Sequence, residues 1–205
     1  MLYYMSMTFN KPNPETLNQA SPEELAELAA QCMERLTPGR QPLDLFSQVA
    51  RLFVLSTVEV VPMRFNEQTE RLDVLLAQRP DDCRWWPGQW HAPGTVLLET
   101  DALEDPHDFR APVDRAIKGE FRGTVVRTGP IETFDAQRRR GARGVELSAF
   151  TTFPVDLAEG HDRPYKGEFF DAEKVVENPP EGGLVALHDE LIIGAFEHVM
   201  SSRRR

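Results

Sequence analysis

A short amphipathic segment, VDRAIKGEF at residues 113–121, contains the residue types that phosphate chemistry uses. Hydrolysis of a phosphoanhydride requires positive charge near the bridging oxygens and an oriented water. Mg²⁺ supplies both when several carboxylates hold it, and carboxylates at i, i+3 and i+4 project from one helix face. This segment offers Arg115 and the single glutamate Glu120. One carboxylate on a helix is a weak dication site by itself, because affinity rises with the number of charged ligands.

The turn WWPGQWHAPG at residues 85–94 is the second candidate region. Its histidine, His91, could hydrogen-bond a ligand or bind a metal, although an isolated histidine is more often a packed or surface side chain. Trp90, with Trp85 and Trp86, could stack on a nucleobase or fill the core. Gly94 is interpreted as a residue that provides an unusual backbone angle beside a substrate pocket.

Two charged clusters complete the set of candidates. An acidic loop around Asp101 could supply metal ligands that the helix lacks, as could Glu146 or Glu168 from the strands, or it could be solvated surface. The basic run RRRGARG is predicted to form a hairpin loop. Its arginines could bind phosphates bidentately, with Arg139 chosen as the substrate-binding residue, or could be solvated. The acidic cluster comprises Glu99, Asp101, Glu104, Asp105 and Asp108. The basic cluster comprises Arg138, Arg139, Arg140 and Arg143.

Helices and strands alternate in a recognisable order. SPEELAELAAQCMERLTPG predicts a helix capped by Ser21 and Glu24, and LDLFSQVARLF predicts a second helix. TVEVVPMRF and RLDVLLAQR then predict an antiparallel hairpin. After the turn-rich segment, a helix opens at Pro112, further strands follow, and LVALHDELIIGAFEHVM predicts a closing helix. This order predicts an α/β or α+β sandwich with a mixed sheet between helices and an added N-terminal helical segment. The predicted domains are 1–56 and 57–205.

The order of elements, the W-x-x-P-G turn, the Arg-x-Ile-x-x-Glu helix and E-F-F-D-A-E together resemble the Nudix fold over about residues 57–200. The resemblance implies cleavage of a diphosphate in a nucleotide-like substrate, with Mg²⁺ or Mn²⁺ held by glutamates of a helix that reads R-E-apolar-x-E-E-x-G-apolar. Aligned on Arg115, those glutamates map to Ala116, Gly119 and Glu120.

Two positions leave the register of this signature open. Gly123 lies one residue after the expected glycine, and an alignment on Gly123 keeps Glu120 but loses the arginine. The outlying glutamate of the signature falls near Asp101, across a loop about six residues longer than usual in the family. The resemblance therefore implies Glu120 and Asp101 as metal ligands and Glu120 and Arg115 as catalytic residues. Residue type and position add Trp90, His91, Gly94 and Arg139 as the predicted substrate-binding residues.

These residues leave two possible functions for the chain. The chain is either a divergent, Mg²⁺- or Mn²⁺-dependent Nudix hydrolase, or a catalytically inactive Nudix-fold module that binds a ligand or a partner. The sequence lacks the P-loop, dinucleotide-binding, serine-hydrolase and zinc-binding patterns.

The charge balance limits the partners. Lys and Arg number 23 against 33 Asp and Glu, and the net charge of −10 argues against binding duplex nucleic acid. We find no apolar run long enough to cross a membrane and no secretory signal, and the two distant cysteines favour a reducing, cytoplasmic compartment. The added helices make a homodimer plausible.

Overall fold

The computed structural model describes residues 20–33, 45, 48–49, 54–98, 101, 108–141 and 144–204. The chain divides into two compact units, Met1–Gly39 and Arg40–Arg205. Most of the second predicted helix lies outside the described residues, although residues 45, 48 and 49 are helical. The predicted domain boundary at residue 56 stays a prediction.

Helix α1 (Pro22–Met33) has the N-terminal cap that its sequence predicts. Ser21 Oγ accepts a hydrogen bond from Glu24 N–H at 3.2 Å, and Glu24 Oε2 accepts one from Ser21 N–H at 2.8 Å. The two side chains thus satisfy two N–H groups that the first helical turn leaves without carbonyl partners. The predicted capping box is confirmed.

Eight strands form one mixed sheet in the second unit. The predicted hairpin is confirmed, since β1 (Leu55–Asn66) and β2 (Arg71–Gln78) pair antiparallel. Strand β1 also pairs with β7 in parallel along nine residues, Leu55–Met63 against Glu146–Pro154. The other strands are β3 (Trp90–His91), β4 (Gly94–Val96), β5 (Val125–Arg127), β6 (Glu132–Gly141), β7 (Gly144–Leu157) and β8 (Gly167–Asp171).

One helix covers each face of this sheet. Helix α2 (Arg110–Phe121) packs Val113 and Phe121 into a cluster with Val58 and Val60. Helix α3 (His188–Arg203) contributes Leu191 and Ile192 to a second cluster on the opposite face. Because side chains alternate between faces along a strand, β1 sends its even-numbered residues to α2 and its odd-numbered residues to α3. The predicted α/β sandwich is therefore confirmed.

Three details differ from the sequence prediction. The arginine run is not a loop, because Arg138, Arg139 and Arg140 lie within β6, which pairs with β7 as far as Gly141. Successive side chains of a strand point to opposite faces, so Arg139 turns toward one face of the sheet while Arg138 and Arg140 are exposed on the other. Helix α2 begins at Arg110, two residues before Pro112, and α3 begins only at His188.

Within the described residues, no helix is long and apolar enough to cross a membrane. Cys32 and Cys83 are both free thiols.

Candidate functional site

Arg115 of α2 and Asp101 form an ion pair near the end of β4. Arg115 Nη2 donates to Asp101 Oδ2 at 2.9 Å and to the Val96 carbonyl at 2.8 Å, and Nη1 donates to Asp101 Oδ1. The Leu98 N–H donates to Asp101 Oδ2 at 2.7 Å. The guanidinium thus joins the end of β4 to the middle of α2. Both side chains, predicted as catalytic and metal-binding residues, are engaged in this contact.

This contact favours the alignment of the Nudix signature on Arg115. In that alignment, the outlying acidic position of the signature is Asp101, and Asp101 pairs with Arg115. In the same alignment, the glycine of the signature falls on Arg122, which takes the left-handed conformation with φ of 50° at the end of α2. A left-handed residue commonly ends a helix, and glycine is the usual residue there.

Aligned in this way, α2 presents one carboxylate where the family has several. Glu120 is half exposed, with 37% of its side chain accessible, and its Oε1 lies 3.9 Å from His91 Nε2. Ala116 is buried, at 6% exposure, so a glutamate could not stand there without entering the core. Within the described part of the chain, no group of three or more His, Cys, Asp or Glu side chains could hold a metal ion. These residues do not fit a Mg²⁺ or Mn²⁺ site on α2.

Removal of the Asp101 charge is expected to destabilise the protein and to change its acid stability. Burial raises the pKa of Asp101, but hydrogen bonds from Arg115 and the Leu98 N–H, with the charge of Arg115, outweigh burial and lower it. A pKa lower in the folded state stabilises the protein above the unfolded pKa, about 4, and this contribution disappears as pH falls through the folded value.

We therefore expect Asp101→Asn to lower the free energy of unfolding by about 1–3 kcal/mol at pH 7, because a charged hydrogen bond is lost. The difference from the wild type should shrink below about pH 4. Urea unfolding at several pH values measures both effects. Asp114→Asn is the control, because Asp114 is on the same helix as Arg115 but is 59% exposed and has only a 3.4 Å contact with Arg127. An equal, pH-independent loss in both variants would contradict the role of the ion pair.

A buried ionic cluster lies on the opposite face of the sheet. Arg139 Nη2 donates to Glu59 Oε1 at 2.6 Å, and Arg139 Nε lies 3.9 Å from Glu146 Oε2. Glu59 and Glu146 are 4% and 3% exposed. The guanidinium of Arg139 also lies 5.3 Å from the centre of the Phe150 ring. One cation therefore stands beside two buried carboxylates.

The sequence gives a faint signal for this cluster. Glu59 is the one charged residue in the apolar run TVEVVPM of a strand buried on both faces, so it requires a partner inside the fold. The sequence predicts Glu146 only as a possible metal ligand and does not predict a role for Glu59. Arg139 reaches both because it is opposite Glu146 in the ladder between β6 and β7.

Gly94 packs against this cluster and does not adopt an unusual backbone angle. Its φ is not among the positive values of the described glycines. A Cβ atom added to Gly94 would lie 2.1 Å from Glu59 Oε2. Gly94 is thus required for the close approach of a buried carboxylate, since the two residues are opposite each other on β1 and β4.

His91 lies at the junction of the two faces. It is 2% exposed, and its Nδ1 is 2.9 Å from the Ala92 carbonyl oxygen, which can only accept a hydrogen bond. The Ala92 N–H in turn donates to His188 Nδ1 at 3.1 Å. His91 Nε2 therefore points toward Glu120 while its ring lines a small cavity next to Glu59.

Trp86, and not Trp90, lines that cavity. Trp90 packs edge-on against Phe170, with ring centres 5.0 Å apart, and donates from Nε1 to the Glu181 carbonyl at 3.0 Å. Its role in the structure is therefore packing. The Arg79 guanidinium lies 5.5 Å from the centre of the Trp86 ring. Trp86 is thus the tryptophan that lines the smaller cavity, and substrate binding by Trp90 stays a prediction.

Two cavities adjoin at Arg139 and Leu187. The smaller, of about 50 Å³, is enclosed by Glu59, His91, Gly94, Arg139 and Glu146 with Arg79 and Trp86. The larger, of about 510 Å³, lies between α3 and β6. Of the predicted site residues, His91, Gly94 and Arg139 line the smaller cavity, and Glu120 contacts its wall at His91. Neither Arg115 nor Asp101 is among the residues that line these two cavities.

Comparisons with known proteins support the fold and not a specific activity. No protein-family model matches the chain, and no curated protein matches it by sequence. The crystal structure of NrtR from Shewanella oneidensis aligns with a TM-score of 0.52 and 22% identity, over 72% of this chain and 64% of NrtR. The match thus spans less than two thirds of NrtR. A MutT/Nudix family protein from Listeria innocua aligns with a TM-score of 0.51 and 16% identity, over 73% of this chain and 96% of that protein.

NrtR structures in complexes also match, at TM-scores of 0.49 for its Nudix domain with ADP ribose and 0.47 for the protein with a 27mer DNA. The expectation that this chain does not bind duplex nucleic acid gains no support from these matches, and it stays a prediction from net charge. The similarity to NrtR and to the Listeria protein, together with the sheet order and the two covering helices, establishes the architecture. This chain has the Nudix fold.

Proposed function

We propose that this protein is a Nudix-fold binding protein for a nucleotide-like anionic small molecule, and that it does not hydrolyse its ligand with a metal held on α2. The observation that carries this proposal is the position of Arg139 beside the buried carboxylates Glu59 and Glu146. A fixed guanidinium offsets one of the two carboxylate charges and occupies Glu59, whereas a hydrolase would need carboxylates available to bind a divalent cation.

The arrangement of carboxylates argues against the alternative, a metal-dependent hydrolase. Glu120 is on the helix that covers one face of the sheet, whereas the side chains of Glu59 and Glu146 point to the other face. Positions 116 and 119 of the signature hold Ala116 and Gly119. Mg²⁺ requires several oxygen ligands in octahedral geometry. If the protein does bind Mg²⁺ or Mn²⁺, the ligands must be assembled differently from the family signature.

The loop between β2 and β3 provides the features for an anionic aromatic ligand. Trp86 and Arg79 lie together at the smaller cavity, with 5.5 Å between the guanidinium carbon and the ring centre. Aromatic rings stack on nucleobases, and arginine binds phosphate bidentately. A cavity of about 50 Å³ accepts only a small group, so the aromatic part of the ligand would lie outside, over Trp86.

The surroundings of Cys83 support a preference for negative charge at this loop. Burial raises the pKa of the Cys83 thiol, but N–H groups of Trp86 and Trp85 and the charge and hydrogen bond of Arg79 outweigh burial and lower it. A thiolate is an anion, so the groups that favour it also favour an anionic group of a ligand at the same loop.

Binding to ADP and ADP-ribose, measured by calorimetry in the presence of EDTA, tests the binding function. We expect metal-independent binding that weakens about tenfold in Trp86→Ala, because one base-stacking contact contributes about 1–3 kcal/mol. Trp85→Ala is the matched control, since its ring is next to Trp86 but does not line the cavity. No binding to any nucleotide of a broader panel, or equal losses in the two variants, would contradict the proposal.

Turnover tests the alternative function. The purified protein should release no phosphate or nucleotide from diphosphate-linked nucleotides with Mg²⁺ or with Mn²⁺, and Glu120→Gln should behave like the wild type. Metal-dependent turnover that disappears in Glu120→Gln would overturn the proposal and establish a hydrolase. Binding and turnover are separate measurements, so each function has its own outcome.

A further inference from the structure

The larger cavity has the size of a small-molecule site. Its volume of about 510 Å³ lies within the usual range of about 300–1,000 Å³ for ligand pockets. It lies between α3 and the β6–β7 part of the sheet, next to the smaller cavity but lined by a largely different set of residues. Its chemistry also differs from that of the smaller cavity.

The floor of this cavity is apolar and partly aromatic. Phe134 and Phe150 line it, with ring centres 6.1 Å apart, and Leu191 contributes from α3. The space depends on a glycine, because a Cβ atom at Gly194 would lie 3.2 Å from Phe134 Cε2. A small residue in the middle of an exposed helix costs helix stability, about 0.5–1 kcal/mol relative to alanine. Here it leaves the Phe134 ring accessible from the cavity.

The rim of the cavity is acidic. Asp135, Glu190 and Glu197 line it, and among the described residues none of the three forms an ion pair. Asp135 accepts hydrogen bonds from the Ala136 N–H and the Gln137 side chain, both at 2.7 Å, but these neutral donors leave its charge in place.

The basic side chains of the wall already have acidic partners. Arg139 is bound to Glu59, and His198 Nε2 lies 2.7 Å from Glu132 Oε2. The cavity wall therefore has a negative balance, in a protein whose net charge is −10. Such a wall repels phosphates and attracts cations.

We propose that this cavity is a second binding site, specific for a small organic cation that carries an aromatic or other flat apolar group. The cationic group would lie among Asp135, Glu190 and Glu197, and the apolar group would lie against Phe134 and Leu191. Two kinds of attraction would add, because the carboxylates stabilise the cationic group and the aromatic and aliphatic side chains remove the apolar group from water. This site is distinct in chemistry from the anion-binding loop at Arg79 and Trp86.

Tyramine is the probe that tests this site, and 4-hydroxyphenylacetate is its matched control with the same ring and the opposite charge. Calorimetry with the full-length protein at low salt should show binding of tyramine and not of 4-hydroxyphenylacetate. The affinity should fall as salt rises, since screening weakens an exposed ionic contact. Equal binding of both compounds, or no binding of tyramine, would overturn the proposal.

Three variants locate the site. Glu190→Gln/Glu197→Gln should weaken tyramine binding about tenfold, because exposed ionic contacts contribute up to about fivefold each. Glu159→Gln, which removes an exposed charge after β7, is the control and should bind tyramine like the wild type. Gly194→Leu should abolish binding because the side chain fills the space before Phe134. Full tyramine affinity in both the double variant and Gly194→Leu would place the compound elsewhere and overturn the assignment.

The same titrations separate this site from the nucleotide site. Trp86→Ala should leave tyramine affinity unchanged while it weakens nucleotide binding, and Gly194→Leu should leave nucleotide binding unchanged. A parallel loss of both ligands in Trp86→Ala would show that they share one site and would contradict the proposal of two.

Discussion

Arg139→Leu should lower the free energy of unfolding by about 3–5 kcal/mol, since removing one partner of a buried ionic cluster leaves buried charge without its counter-ion. Glu59 and Glu146, at 4% and 3% exposure, are too deeply buried for water to replace the guanidinium. The 2.6 Å contact to Glu59 is also lost. Urea unfolding measures the change, with a constant m-value as the sign that the variant unfolds in the same way.

Arg138→Leu is the matched control for this prediction. Arg138 precedes Arg139 on β6 but is exposed on the other face of the strand, so its replacement should change stability by no more than about 0.5 kcal/mol. Arg139→Leu combined with Glu59→Gln should be more stable than Arg139→Leu alone, because one of the two buried charges is removed. Equal stability of Arg138→Leu and Arg139→Leu would show that the cluster does not stabilise the fold.

Gly94→Ala should also be strongly destabilising, by about 1–3 kcal/mol, because it overpacks the ionic cluster. The added methyl would lie 2.1 Å from Glu59 Oε2, and the carboxylate cannot move away freely while Arg139 holds it. The variant should also bind nucleotide more weakly, because displacement of Glu59 changes the wall of the smaller cavity. Urea unfolding and calorimetry measure the two effects.

Gly119→Ala provides the comparison for Gly94→Ala. Gly119 lies within α2, and no heavy atom stands within 4 Å of the position that its Cβ would occupy. The substitution should therefore stabilise the protein by about 0.5–1 kcal/mol, since alanine is the better helix former. If Gly94→Ala were as stable as the wild type, the Glu59 carboxylate would have to move away from residue 94 without loss, which would contradict the constraint imposed by Arg139.

The architecture follows from local patterns in the sequence. Ser21 and Glu24 specify the start of α1, and the alternation in TVEVVPMRF and RLDVLLAQR specifies the β1–β2 hairpin. These signals are readable because each depends on residues a few positions apart, through a capping hydrogen bond or the two-residue period of a strand. The presence of a single glutamate, Glu120, on the helix that resembles the Nudix signature is also a property of the sequence.

The chemistry of the site was decided by the tertiary structure. Glu59, Arg139 and Glu146 come from three different strands, and only the register of β1, β6 and β7 brings them to the same face. The packing of α2 brings Glu120 to within 3.9 Å of His91, and the course of the β2–β3 loop places Trp86 at the smaller cavity. A sequence specifies which side chains are charged, but the faces on which they meet depend on strand pairing between distant residues, and that pairing is set by the packing of the whole sheet.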